Sequence, residues 1–167
     1  LTSMFRIGLS QGRDFITIRD EKKHVQNYLY IQKTRYQSKL RYQIEIPEEL
    51  DNVMVPKLIL QPLVENAIKY GIEPSLQPGH ILVRTRKTDD DIQILVKDNG
   101  CGMDEAQQTF YRRLLRNDPS GQTNIGVRNV ARRLQLHFGG RCGFDVSSRP
   151  GDGLSITIRI PAQEEQP

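Results

Sequence analysis

The stretch Asp91-Ile92-Gln93-Ile94-Leu95-Val96-Lys97-Asp98-Asn99-Gly100-Cys101-Gly102-Met103 restricts the possible folds of this chain more than any other. From 92 to 97 its residues alternate well enough for a half-buried strand, and Asn99-Gly100 breaks the pattern at once. Asp98 is thereby set at a strand end beside a turn. A partner strand is expected over 81–86, joined through Thr88-Asp89-Asp90. Upstream, Gln61-Pro62-Leu63-Val64-Glu65-Asn66-Ala67-Ile68-Lys69-Tyr70-Gly71 reads as a helix, with Asn66, Lys69 and Tyr70 at i, i+3 and i+4 on one surface. Further elements are a short strand over 15–18, a helix over 20–36, and a strand over 39–46 that stops before Pro47. The expected fold is a two-layer α/β sandwich: one mixed sheet, helices on one face.

The two segments carry complementary chemistry. An asparagine carbonyl is a hard neutral ligand suited to magnesium, which takes its other ligands from phosphate and water. Lys69 offers three donors and Tyr70 one, all able to hold phosphate oxygens. The Asp98 carboxylate can accept from an exocyclic amine, which adenine has at its six position and guanine lacks. Gly100 and Gly102 permit positive φ and leave no Cβ between the backbone and a planar base. Each segment alone has an ordinary reading, a polar surface helix and a common turn; their combination points to Mg-ATP.

Together these segments resemble the N box and first glycine box of the GHKL ATP-binding superfamily, which comprises gyrase, heat-shock chaperone ATPases, histidine kinases and mismatch-repair ATPases. With Arg35-Tyr36 and Pro56-Lys57-Leu58, the chain is most similar to the LytS/YesM-type sensor histidine kinases. The resemblance implies magnesium at Asn66, phosphates facing Lys69 and Tyr70, and the adenine amine at Asp98, with Gly100, Gly102 and Met103 lining the base. It implies a mobile lid over about 104–123 with an apolar stripe of Phe110, Leu114 and Leu115. A second glycine box follows at Asn124, Ile125, Gly126 and Val127, opening a helix whose Val127, Val130, Leu134 and Phe138 recur at helical spacing before Gly139-Gly140. A loop entering a helix N-terminus offers free N–H groups to phosphate. A third box, Gly151-Asp152-Gly153, leads into a final strand over 154–160.

Three positions depart from the family pattern. Asn124 takes the middle place of a run usually richer in glycine, Leu154 replaces a threonine that often reaches the base through water, and Pro62 stands where hydrolytic relatives carry a water-activating glutamate. Proline cannot be a general base, so rapid ATP hydrolysis is not expected. The γ-phosphate is expected to pass instead to a histidine. His24, His80 and His137 all have structural explanations, and no His-Phe-Leu-Phe-Asn-like motif occurs, so the acceptor is expected outside this chain.

The resemblance divides the chain into 1–12, the end of a truncated dimerisation and phosphoacceptor helix, and 13–167, the ATP-binding catalytic domain. It implies a homodimer through the missing dimerisation domain, a response regulator receiver domain as partner, and the cytoplasmic portion of a membrane-anchored sensor. The 167 residues are 37% hydrophobic, enough for a sizeable core, and hold no apolar run long enough to cross a bilayer. Beginning at Leu1 without a charged-then-apolar leader, the chain reads as an excised portion. Cys101 and Cys142 lack a paired metal spacing, which argues against zinc, and Cys101 in the turn reads as a small packing residue. A net charge of +4, with Arg112, Arg113 and Arg116 in one cluster and Arg128, Arg132 and Arg133 in another, raises a nucleic-acid-binding module as a rival. No zinc-finger or RNA-recognition signature accompanies it. The other rival is a degenerate nucleotide sensor without phosphotransfer.

Overall fold

A computed structural model of the chain describes residues 14–116 and 125–162. The expected dimerisation-helix end at 1–12, the residues 117–124 and the tail 163–167 lie outside the described residues. Strand β1 (Phe15–Thr17) pairs antiparallel with β3 (Met54–Pro56) in a small two-stranded sheet. Between them come helix α1 (Ile18–Tyr36) and strand β2 (Leu40–Glu45). Thr17 starts α1 by accepting the Asp20 N–H at 3.2 Å, with Asp20 and Glu21 in its first turn and Lys33 and Arg35 in its last, the charge order a helix dipole favours. Ile18, Glu21, Val25 and Leu29 form its buried stripe.

Helix α2 (Gln61–Asn66) is followed by β4 (Gly79–Thr88), β5 (Asp91–Asp98), α3 (Glu105–Leu115), α4 (Ile125–Phe138), β6 (Gly143–Ser148) and β7 (Leu154–Pro161). The main sheet runs β2-β4-β5-β7-β6. Among the described residues the β2–β4 pair is parallel and the other pairs of this sheet are antiparallel, so the sheet is mixed. Ile81, Val83, Ile92, Ile94, Val96, Ile156, Ile158 and Val146 face one way and join the helical residues Val25, Leu29, Leu63, Val130 and Leu134 in a single core. The other face carries exposed Arg41, Arg84, Arg86, Lys97 and Arg159. The period-2 alternation thus puts the helices on one side only, as the expected sandwich requires.

Two elements depart from the expected pattern. The helix over 61–71 is not uniform: after Asn66 it widens into a π-helical turn, Ala67–Ile72, closed by the Glu73 N–H donating to the Ile68 carbonyl at 2.8 Å. The cause is tertiary. The Gly71 carbonyl accepts the Cys101 N–H at 3.1 Å, which draws the end of the helix onto the β5 turn. Second, residues 105–115 of the expected lid form a helix packed into the body. Its phase is set by the Asp104 capping box with Gln107, and the buried stripe is Tyr111, Leu114 and Leu115. Phe110, expected in that stripe, is 40% exposed, whereas Tyr111 is 2% exposed.

Candidate functional site

A shallow recess opens between the end of α2 and the turn after β5, lined by Asn66, Tyr70, Gly71, Asp98, Gly102, Met103 and Leu154. The sheet sets the position of Asp98 by pairing it with Ile81 on β4. The side chain is 3% exposed, and its Oδ1 accepts the Gly100 N–H at 2.8 Å. Burial pushes this carboxyl up to about 6, although the N–H groups of Gly100 and Leu154 pull it down. Two glycines make the position possible. A Cβ on Gly71 would lie 2.6 Å from Asp98 Oδ1, and one on Gly153, whose φ is 74°, would lie 1.9 Å from the Asp98 carbonyl oxygen.

Asn66 faces Asp98 across the recess from the last turn of α2. It is 5% exposed, and its Oδ1 is buried with no hydrogen-bond partner among the described residues. A buried amide oxygen left in this state costs about 1–3 kcal/mol. It fits a hard cation such as magnesium, which would take this oxygen as one ligand beside water and phosphate. Tyr70 also lines the recess, but Lys69 does not; its ammonium stands 5.1 Å from the Tyr70 ring centroid instead. The π-helical turn explains the separation. A turn closed by i→i+5 bonds needs more residues to come round, so i+4 returns toward Asn66 and i+3 falls short.

Of the two turn glycines, Gly102 takes the expected positive φ and Gly100 does not. Gly102 has φ 66° and lines the recess, but its missing Cβ leaves room for the Arg149 carbonyl oxygen, 1.9 Å from the Cβ position. Gly100 does not adopt positive φ; its Cβ would fall 2.2 Å from the Gly71 backbone. At both glycines the missing Cβ lets the protein backbone close on itself. Met103 is fixed by its N–H donating to Ser148 Oγ at 2.9 Å. Cys101 is exposed rather than packed, its S–H donating to the Tyr70 carbonyl at 3.1 Å.

Of the second glycine box, Asn124 lies outside the described residues. Ile125 and Gly126 are exposed at the start of α4, and Val127 is buried beneath them. None of these three lines the recess, yet a Cβ on Gly126 would come 3.4 Å from Pro62 Cβ, so α4 begins beside the start of α2. Leu154, which replaces the family's base-contacting threonine, lines the recess, and so does Gly71, which nothing in the sequence marks as a lining residue. Tyr111 does not line the recess but lies within electrostatic reach of it: its buried hydroxyl lacks a partner among the described residues and is pushed well above the usual range by burial, then by the charges of Asp98 and Tyr70. Its i, i+3, i+4 spacing with Leu114 and Leu115 was the available signal. No histidine lines the recess: His24 is half-buried on α1, His80 is exposed at the start of β4, and His137 packs edge-on to Phe15 at 4.7 Å.

The arginine clusters are tied to the fold in part. Arg112 donates to the Val146 carbonyl at 3.0 Å, and Arg133 donates to the carbonyls of Lys57 and Leu58. This weakens the case for a polyanion surface. Among the described residues no helix is long and apolar enough to cross a membrane.

Comparison with known proteins agrees with this geometry. The chain is 35% identical to the sensor histidine kinase YesM of Bacillus subtilis over 162 residues, 97% of this chain and 26% of that protein. It is 33% identical to the sensor histidine kinase BtsS of Escherichia coli over 165 residues, 99% of this chain and 27% of that protein. The chain therefore spans about a quarter of the length of these curated relatives. The solved catalytic domain of histidine kinase ThkA shares the fold with a TM-score of 0.61 at 17% identity, covering 88% of this chain and 93% of that one. The Acinetobacter baumannii histidine kinase AdeS does so with a TM-score of 0.62 at 17% identity, covering 98% and 75%. A histidine kinase family matches residues 1–40. Residues 52–164, which carry Asn66, Asp98 and the glycine turns around them, match a second and larger family: the chain belongs to the histidine kinase-, DNA gyrase B- and HSP90-like ATPases.

Proposed function

We propose that the chain is the ATP-binding catalytic domain of a two-component sensor histidine kinase. It captures Mg-ATP and delivers the γ-phosphoryl group to a histidine on a dimerisation domain, from which a response regulator receiver domain takes it onto an aspartate. One observation carries the reading: Asn66, with a buried amide oxygen lacking a partner, and Asp98, a buried carboxylate, line the same recess from opposite elements. Asp98 accepts from the adenine amine and so selects the base. Asn66 Oδ1 would hold a magnesium ion, which when bound would neutralise charge on the phosphates. Tyr70 donates toward the phosphate tail from the same helix end, Lys69 adds a positive charge at its rim, and the N-terminus of α4 offers backbone N–H groups. Catalysis by such a site is positioning and charge stabilisation, with the nucleophile brought by another domain.

Calorimetry of ATP binding with and without magnesium tests this. The wild-type chain binds ATP more tightly with magnesium present, and Asn66→Ala loses that increment while keeping a cooperative thermal transition. If the variant retained the full magnesium increment, the metal would have another ligand and the assignment of Asn66 would fall.

A further inference from the structure

Glu21 is a carboxylate with 0% exposure in the first turn of α1, outside the recess. It accepts three consecutive backbone N–H groups of the loop that leads into α2: Leu58 at Oε1, and Ile59 and Leu60 at Oε2, the last two at 3.1 and 3.0 Å. Leu58 adopts φ 60°, a left-handed conformation that costs a non-glycine residue about 1–2 kcal/mol. It turns successive amides onto one point, as in an anion-binding nest. Burial pushes the Glu21 carboxyl up, against the three N–H groups and Arg133, which pull it down. The opposite side of the same peptide units is held from α4, where Arg133 donates to the carbonyls of Lys57 and Leu58.

This arrangement answers a deficit in α2. Leu60, its N-cap residue, has no side chain able to cap, and Pro62 in the first turn brings no N–H. The Glu21 carboxylate supplies the missing acceptor, and its negative charge sits at the positive end of the helix dipole. Six residues of α-helix are too few to hold a direction by themselves. The orientation of α2 is set by anchors at its two ends: Glu21 with Arg133 before it, and the Cys101 N–H on the Gly71 carbonyl after it. Asn66 lies between these anchors. Arg133 belongs to the helix whose first turn meets Pro62 at Gly126, so one loop ties the metal-side amide to the phosphate-side helix.

We infer that Glu21 and Arg133 are a positioning pair for the phosphate and metal side of the nucleotide site. By gripping the amides and the carbonyls of loop 57–60, they fix Asn66 of α2 relative to the N-terminus of α4. The inference rests on the reading of the recess as a Mg-ATP site. The base side, built on β5 and the glycines around Asp98, has its own anchors and does not depend on the pair.

The test separates the two sides. In Glu21→Gln the shape is kept, but an NH2 group meets N–H donors and only one oxygen remains to accept. In Arg133→Lys a single ammonium replaces the fork that reaches two carbonyls. Calorimetry on the 167-residue chain with ATP, with and without magnesium, is expected to give magnesium-free affinity within about 3-fold of wild type for both variants. The magnesium increment should shrink by about 10-fold or more. Arg133→Lys keeps the inference testable if Glu21→Gln fails to fold. Unchanged magnesium increments overturn the pair, as does an equal loss with and without magnesium, which would mark a general structural role. A wild-type chain whose ATP binding ignores magnesium would instead overturn the functional reading beneath it.

Discussion

A buried carboxylate that reads a base must be charged to do so, and Asp98 is held close to the point where it is not. Its carboxyl is raised from an ordinary 3.8 to about 6 by burial. The native state therefore binds this proton more tightly than the unfolded chain, and stability contributed by protonation is present below about pH 4 and lost as pH rises through 6. At neutral pH the buried charge costs roughly 3 kcal/mol, which a donor from adenine would partly offset. ATP affinity is expected to fall on acidification through pH 6. Since ATP itself titrates nearby, the quantity to measure is the ratio of wild-type to Asp98→Asn affinity. It should be large at pH 7.5, where the amide presents a donor to the adenine amine, and shrink by up to about 10-fold per unit below pH 6. A ratio independent of pH would remove Asp98 from base recognition. The identity of this residue was open in the sequence because the strand, the turn and the carboxylate are adjacent. The Glu21 role was not: next to Asp20 it looks like an exposed first-turn acid, and its partners are backbone amides, 37 to 39 positions away, that carry no side-chain signature.

Elements were legible wherever hydrophobic period alone decides them, as in α1, α4 and the strands of the main sheet. They were misjudged where a tertiary contact or a cap overrides the period. The π-helical turn depends on Gly71 meeting Gly100, and nothing local in Ala67–Ile72 announces it. In α3 the phase is chosen by the Asp104 cap, which rotates Tyr111 inward and Phe110 outward. The helix is further tied to β6: Gln108 donates to the Ser148 carbonyl at 2.9 Å and Arg112 to that of Val146 at 3.0 Å. The expectation of a lid mobile from residue 104 onward is therefore replaced by a narrower one. Backbone amides of 109–115 should exchange slowly in the nucleotide-free protein and change little on adding Mg-ATP, because they are hydrogen-bonded within a packed helix. Hydrogen exchange that is fast across these residues without nucleotide and slow with it would restore α3 to the lid.

For the whole molecule, the decisive question is where the γ-phosphate goes, and the start of α2 bears on it. A water-activating base would have to project from this turn, but Pro62 has no proton acceptor, and the neighbouring Gln61 donates its amide to Glu65 at 2.8 Å. Glu65 is thereby engaged and lies on the exposed side of the helix, away from the recess-lining Asn66. A site that binds Mg-ATP without activating water keeps the phosphoryl group intact until a better nucleophile enters, which is what delivery to a histidine on another domain demands. His24, His80 and His137, none of them at the recess, are poorly placed to be that nucleophile within one chain. The 167-residue chain, given γ-labelled ATP and magnesium, is accordingly expected to release phosphate no faster than Asn66→Ala and to carry no label itself. The same domain within the whole sensor protein should label a histidine and lose that label with Asp98→Asn. Brisk phosphate release by the isolated chain would mean that a water-activating group exists at this site after all, and would return the protein to the hydrolytic branch of its family.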